Sequence, residues 1–407
     1  MNAQALDGIR VLDLSRVLAG PWASQTLADM GAEVIKVERP GRGDDTRGWG
    51  PPFVAGPSGA PTAESAYFLS ANRGKKSLTL DITTPEGQDI VRRLAAQSDV
   101  VIENYKVGGL QRHGLDYAAL AAVNPRLVYC SITGFGQDGP YRDRAGYDFM
   151  IQGMAGVMSI TGERDDLPGG GPQKVGVAVV DVVTGLYSTI AILGALQHRA
   201  ATGRGQHIDM ALLDCAVAML ANVNLTYLVS GAAPVRQGNA HQNIVPYQVF
   251  KCADGFLILA VGNDEQFARF CTEAGLGPLA ADPRFAANSG RVRHRDLLVP
   301  QLEAAFALRK RDAWLAALEK IGVPCGPIND LAQVFADPQV VARGLRLDLP
   351  HPATGSVPGV RNPIRYSDST LRVQCAPPRL GEHTDEVLTA LGLTAAAIAD
   401  LRARNIA

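Results

Sequence analysis

Closely spaced cysteines are missing from this 407-residue chain. Cys130, Cys215, Cys252, Cys271, Cys325 and Cys375 are scattered, and no two lie within four residues. That excludes the short-spaced motifs of structural zinc and of thiol exchange, and it suits a reducing compartment. An excess of one charge is missing too. The 39 Lys and Arg balance 40 Asp and Glu, for a formal net charge of −1. A nucleic-acid partner or an anionic membrane surface needs a basic excess, so neither is expected. Any anion must be met by a local cluster of Lys and Arg. The opening "MNAQALDGIRVLDL" lacks a basic region leading into a long apolar core, so we read no secretory signal and expect a cytoplasmic protein. There is also no low-complexity linker and no internal repeat.

What is present is one long apolar run, "VGVAVVDVVTGLYSTIAILGAL", from Val175 to Leu196. Its length would allow a membrane span. Its single charge, Asp181, would cost about 2.5–3.5 kcal/mol at the centre of one. Thr184, Gly185, Ser188 and Thr189 interrupt it further, and no second run of similar length exists. A buried strand "VGVAVV" followed by a core helix is the expectation.

Strand and helix patterns alternate through the first half. "GIRVLDLS" reads as a strand, "LAGPWASQTLADMGA" as a helix stopped at Gly31, and "EVIKVERP" as a strand ended by Pro40. A strand, helix and strand within about thirty residues form a βαβ unit and a parallel sheet. "KSLTLDI", "DVVIEN" and "RLVYCSITGF" read as further strands. Between them lie a helix capped by Thr84 with Pro85 at its first position and a short helix near Leu120. The fold class is α/β, with a doubly wound, Rossmann-like parallel sheet. Ligands of such sheets sit beyond the carboxyl ends of the strands. Here these are Ser15–Leu18, Glu38–Arg39, Asn104–Tyr105 and Thr133–Gly136. A dinucleotide site is not expected, because the first turn, "SRVLAGPWA", has no GxGxxG.

After Gln206 the pattern changes. A strand end and a long helix, a loop "RQGNAHQNIVPYQVF", a hairpin turning at Asp254–Gly255 and two helices follow. We read residues 225–330 as a smaller α+β domain. The C-terminal part, residues 331–407, ends in two amphipathic helices.

Several strings resemble one family, the class III CoA-transferases of the formyl-CoA, carnitine and bile-acid-inducible types. They are "GIRVLDLSRVLAGPWASQTLADMGAEVIKVERPGRGD", "SANRGKKSLTLD", "DVVIENY", "GYDFMIQGMAGVMSITG", "VDVVTGLYSTIAILGALQHRAATGRGQHIDMALLD" and "LGEHT". The resemblance runs in order along nearly the whole chain. It implies that the N- and C-terminal parts, residues 1–224 and 331–407, make one large Rossmann-like CoA-binding domain and that two chains interlock as rings in a homodimer. It also implies a substrate, coenzyme A as its acyl thioester, and no tightly bound cofactor.

The family's catalytic aspartate falls at Asp181. A carboxylate suits the task, because moving CoA between two acids needs a relay that is itself an acid. Attack on the donor thioester gives a mixed anhydride and CoA thiolate; the thiolate then takes the aspartyl carbonyl, and the acceptor acid reverses the sequence. Spacing alone fits a helix N-cap as well, and the two roles are compatible.

The resemblance further assigns CoA contacts to Val17, Arg39, Leu69, Asn72, Lys75, Asn104, Tyr105 and Arg144, with the register of Lys75 against Lys76 open by one residue. Tyr147 stands where the family's α-methylacyl-CoA racemases carry a His. Tyr, with an ordinary pKa of about 10, is a poor acid–base group near neutrality, so transfer is favoured over racemisation or isomerisation. A non-catalytic acyl-CoA-binding role leaves the nucleophile without a use. Tyr147 and Asp148 are expected in the acyl pocket, or Tyr147 as a structural residue. "GNAHQNIVPYQ" lacks the glycine run of the formyl-CoA branch. It resembles the branch acting on succinyl-CoA and dicarboxylates, including succinate–hydroxymethylglutarate CoA-transferase. Gly238, His241 and Asn243 are the expected substrate contacts there. The run "PGGGP" at Pro168–Pro172 reads as a turn, and Glu382 and His383 of "LGEHT" read as helix-capping residues.

Overall fold

The computed structural model describes residues 4–56, 58–371 and 375–407. Two compact units emerge. One holds residues up to Val157, Val175–Leu225 and Pro338–Ala407; the other holds Met158–Lys174 and Thr226–Asp337.

The first unit is built on six parallel strands: β1 (Arg10–Asp13), β2 (Glu33–Glu38), β3 (Lys75–Thr79), β4 (Val100–Glu103), β5 (Val128–Thr133) and β6 (His207–Ala211). Their order in the sheet is β3-β2-β1-β4-β5-β6. The winding therefore reverses between β1 and β4, the crevice where doubly wound sheets bind ligands. Side chains alternate between faces, and each face buries its own cluster. Leu12, Val37, Leu78, Val101 and Tyr129 pack on one side with α2 (Pro85–Ala96) and α3 (Tyr117–Val123). The helices Thr384–Ala390 and Ala395–Ala403 pack there too. Val11, Val34, Ile102, Val128 and Ile132 pack on the other side with α1 (Ala19–Asp29), α5 (Val179–Thr202) and α6 (Leu212–Met219). A further helix, α4 (Asp148–Met154), lies between β5 and α5 in the chain. Thr84 Oγ1 accepts the Gly87 N–H at 3.1 Å and Pro85 opens α2, as the sequence predicts.

Three sequence expectations change. "VGVAVV" forms no strand: residues 175–178 are irregular and α5 starts at Val179. A strand needs a neighbour to pair with, and the Val175 N–H is taken instead by the Gln152 side chain, at 2.9 Å. Ala178, not Asp181, holds the N-cap position, and Asp181 lies in the first turn. The long helix after β6 stops at Met219 and restarts at Ala221, whose φ is +43°. Residues 158–174 group with the second unit. There the Asp165 carboxylate pairs with Arg236.

Helix α5 is long and apolar enough to cross a membrane. Its inward side instead buries Thr184, Gly185, Ser188, Thr189 and Ile192. A Cβ on Gly185 would lie 2.7 Å from the Ala19 carbonyl and 3.0 Å from Trp22 Cβ, so this glycine lets α1 approach closely.

The second unit carries an antiparallel sheet of β7 (Tyr247–Cys252), β8 (Gly255–Ala260) and β9 (Cys325–Pro327), with β8 in the middle. Phe306 organises its core, stacking on Phe250 at 4.5 Å and on Phe270 at 5.5 Å.

Candidate active site

The four strand ends named from the sequence converge on one cleft of about 490 Å³ in the first unit. Val17, Arg39, Asn104, Tyr105, Arg144, Tyr147, Asp148 and Asp181 all line it.

Asp181 sits in the first turn of α5, and its environment disfavours charge. Burial, and then the nearby Asp148 carboxylate, push its carboxyl up to about 7. Asp148 is held by donors. Its Oδ1 accepts the N–H groups of Val180 at 2.8 Å and Asp181 at 3.3 Å, and its Oδ2 accepts Gln152 Nε2 at 2.6 Å. The Gln152 Oε1 accepts the Val175 N–H at 2.9 Å. Asp148 thus satisfies two free amides at the start of α5, while the fully buried Gln152 ties down the segment leading in. A carboxyl near 7 is part-ionised at neutrality and more basic than an ordinary Asp. That makes it a better nucleophile toward a carbonyl than a fully hydrated carboxylate.

The cleft also supplies cations. Among the described residues, no carboxylate pairs with Arg39, Lys106, Arg112 or Arg144, all of which line it. The Arg144 guanidinium lies over Tyr141, 4.5 Å from the ring centre. Such groups suit phosphate oxygens.

Leu69, Asn72 and Lys75 are placed elsewhere. The Lys75 ammonium is fully buried, 3.1 Å from Asp13 Oδ2 and 2.9 Å from Asn72 Oδ1, and burial pushes it down to about 8. Leu69 packs with Leu349 and Val357. Lys76 is bound to Glu33 and Glu386. A lysine consumed in a buried pair offers no charge to a phosphate. Leu69, Asn72 and Lys75 thus stand outside the lining of this cleft.

Sequence reasoning missed Arg16, Lys36, Asp44, Lys106, Arg112 and Arg142, which also line the cleft. One signal was available for Lys36: a charge inside a parallel strand covered on both faces needs a partner. It has one in Asp44, at 2.9 Å. Burial alone would lower the Lys36 pKa, but Asp44, Asp13 and Glu38 outweigh it and raise it. Asp13 is held down to about 2: burial opposes its charge, but Lys75 and Lys36 outweigh it.

Gly238, His241 and Asn243 belong to the second unit. His241 Nδ1 accepts the Asn243 N–H at 3.0 Å, and the ring packs edge-on against Tyr247. Arg295 donates to the carbonyls of His241 and Gln242 at 2.6 and 2.9 Å. Gly238 has φ +58°, and a Cβ there would lie 2.6 Å from Glu163 Oε1.

The sequence model of CoA-transferase family III matches residues 6–384. The chain is 56% identical to succinate–glutarate CoA-transferase of Agrobacterium fabrum, over 95% of both chains. It is 47% identical to succinyl-CoA:glutarate CoA-transferase of Mus musculus, over 95% of this chain and 86% of that one. A crystal structure of a CAIB/BAIF family protein from Brucella suis superposes with a TM-score of 0.84 at 55% identity, covering 96% of this chain and all of that one. The chain belongs to CoA-transferase family III and is a CoA-transferase.

Proposed function

We propose that this enzyme moves CoA from succinyl-CoA to a dicarboxylic acid of about glutarate's length, with Asp181 as the covalent relay. The observation that carries the mechanism is Asp181 itself, a carboxyl pushed up to about 7 in a cleft where Arg39, Lys106, Arg112 and Arg144 pair with no carboxylate among the described residues. The donor and acceptor follow the names of the similar enzymes from Agrobacterium fabrum and Mus musculus.

The chemistry balances in four steps. An Asp181 carboxylate oxygen attacks the succinyl thioester carbonyl, and the C–S bond breaks to give an anhydride and CoA thiolate. The thiolate attacks the Asp181 carbonyl, succinate leaves, and an aspartyl thioester forms. The acceptor carboxylate attacks that thioester and releases the thiolate again. The thiolate then attacks the acceptor acyl carbon of the new anhydride and frees Asp181. The positive end of the α5 dipole favours negative charge on the oxygens formed there.

Arg39, Lys106, Arg112 and Arg144 would meet the CoA phosphates, and Val17 and Tyr105 its wall. His241 and Asn243 are proposed for the acceptor's distal carboxylate. With Nδ1 accepting from Asn243, the His241 proton resides on Nε2, a donor for an oxygen anion. Large apolar side chains such as Tyr187, Ile190 and Leu228 are exposed on the single chain. That supports an interlocked homodimer that covers them. The six scattered, free cysteines support a cytoplasmic setting.

The test is trapping. Succinyl-CoA followed by hydroxylamine should convert Asp181 to a hydroxamate, mapped by peptide mass. Asp181→Ala should lose the adduct and at least about 10³-fold in kcat. Full activity in that variant would sink the mechanism. A panel of acids of two to six carbons, offered with succinyl-CoA, should rank the five-carbon dicarboxylate first.

A further inference from the structure

Among the described non-glycine residues with positive φ, only Val17 lines the cleft, at +71°. A β-branched residue in the left-handed region is a true outlier, and strain of this kind persists only where the surroundings over-determine it.

The surroundings of the turn after β1 do so. Arg16 N–H donates to Asn104 Oδ1 at 2.9 Å, and Asn104 Nδ2 donates to the Arg16 carbonyl at 2.7 Å. The Val17 N–H is shared by both oxygens of Asp44, at 3.2 Å each. Lys36 Nζ donates to the Ser15 carbonyl at 2.7 Å, and Ser15 N–H to Asp13 Oδ1 at 2.9 Å. A Cβ on Gly20 would lie 2.3 Å from Ser15 Cβ, so α1 folds tightly back on this turn.

Asp13, Lys36 and Asp44 come from β1, β2 and the loop after β2. Asn104 follows β4, across the point where the winding reverses. Its two bonds close a strap over the crevice. Each end of its amide makes one bond to Arg16, so the side chain is fixed in orientation by the turn.

The geometry points to Asn104 as a positioning residue for acyl-CoA binding: its amide clamps the Arg16 peptide groups and so holds the Val17 turn in the left-handed conformation that shapes the cleft wall. This rests on the proposed reading of the cleft as the acyl-CoA site.

A double-mutant cycle between Asn104 and Val17 tests it, read as the dissociation constant for succinyl-CoA and as kcat against KM. Glycine adopts φ near +71° without strain, so a Val17→Gly background should need the clamp less. Asn104→Ala should weaken succinyl-CoA binding about 10-fold with Val17 present and less than about 3-fold in the Val17→Gly background, the strain released being worth a factor of that order. The loss should fall in KM more than in kcat. An equal loss in both backgrounds would mean direct contact with the ligand and would overturn the proposal. If Asn104→Ala does not fold, Asn104→Asp decides by the same comparison. It keeps the acceptor for Arg16 N–H and gives up the donor to the Arg16 carbonyl. Binding is measured without turnover, so failure to trap Asp181 in the unaltered enzyme would sink the covalent chemistry and leave this inference standing. Failure of the unaltered enzyme to bind succinyl-CoA would sink both.

Discussion

Two carboxylates meet at the start of α5, and their roles diverge because only Asp148 has strong donors. The Asp148 charge is the second cause of the high Asp181 pKa, after burial. Asp148→Asn keeps an acceptor for the Val180 N–H and removes that charge. The acid limb of kcat/KM should then move to lower pH, by less than the full rise, since burial remains. An unmoved limb would show that Asp181 does not govern it. A second consequence concerns stability. Between an ordinary carboxyl pKa of 3.8 and about 7, the folded state holds a proton that the unfolded chain has lost. Stability therefore falls as pH rises through that window. Asp181→Asn removes the effect. Its gain over the unaltered protein in urea unfolding should grow from pH 4 to pH 7 and level off, reaching at most about 4 kcal/mol. A difference that does not vary with pH would refute it.

At the scale of elements, the α1–α5 contact decides where Asp181 is presented. Gly185 sits mid-helix, where alanine is ordinarily better by about 1 kcal/mol. Here the added Cβ meets the Ala19 carbonyl at 2.7 Å. Gly185→Ala should therefore destabilise, by about 1–3 kcal/mol, as overpacking does. Urea unfolding checks the sign. Stabilisation would show that α1 yields freely. The elements themselves were largely legible. Alternation and capping located β1 to β5, α1 and α2, since such signals are local. The strand expected at "VGVAVV" failed for a non-local reason. Any β-rich run can be a strand, but here the Val175 N–H goes to the Gln152 side chain rather than to a neighbouring strand.

At the scale of the molecule, the cations of the cleft are screened by salt. KM for succinyl-CoA should rise several-fold between about 0.05 and 0.5 M salt, and Arg144→Ala should flatten that slope. An unchanged KM would argue against phosphate binding at Arg39, Lys106, Arg112 and Arg144. The proposed dimer predicts a sedimenting mass twice the 43.1 kDa of one chain, with Ile190→Asp shifting it toward a single chain. A monomer at micromolar concentration would refute the interlocked assembly.

The sequence by itself determined the parallel α/β architecture, the strand ends that face the crevice and the placement of Asp181 in an apolar setting. These depend on periodicity, turn residues and the ordered motifs of a resemblance, all written along the chain. Only the tertiary structure decided which charges are free. Lys75 and Arg39 look alike as isolated letters. Lys75 is spent on Asp13 beneath the sheet end, whereas Arg39 lines the cleft with no ion-pair partner among the described residues. The strain at Val17 and the clamp by Asn104 were equally invisible, because they arise from groups 88 residues apart meeting across the crevice. Pairing, burial and backbone strain are properties of neighbours in space, and a one-dimensional pattern does not carry them.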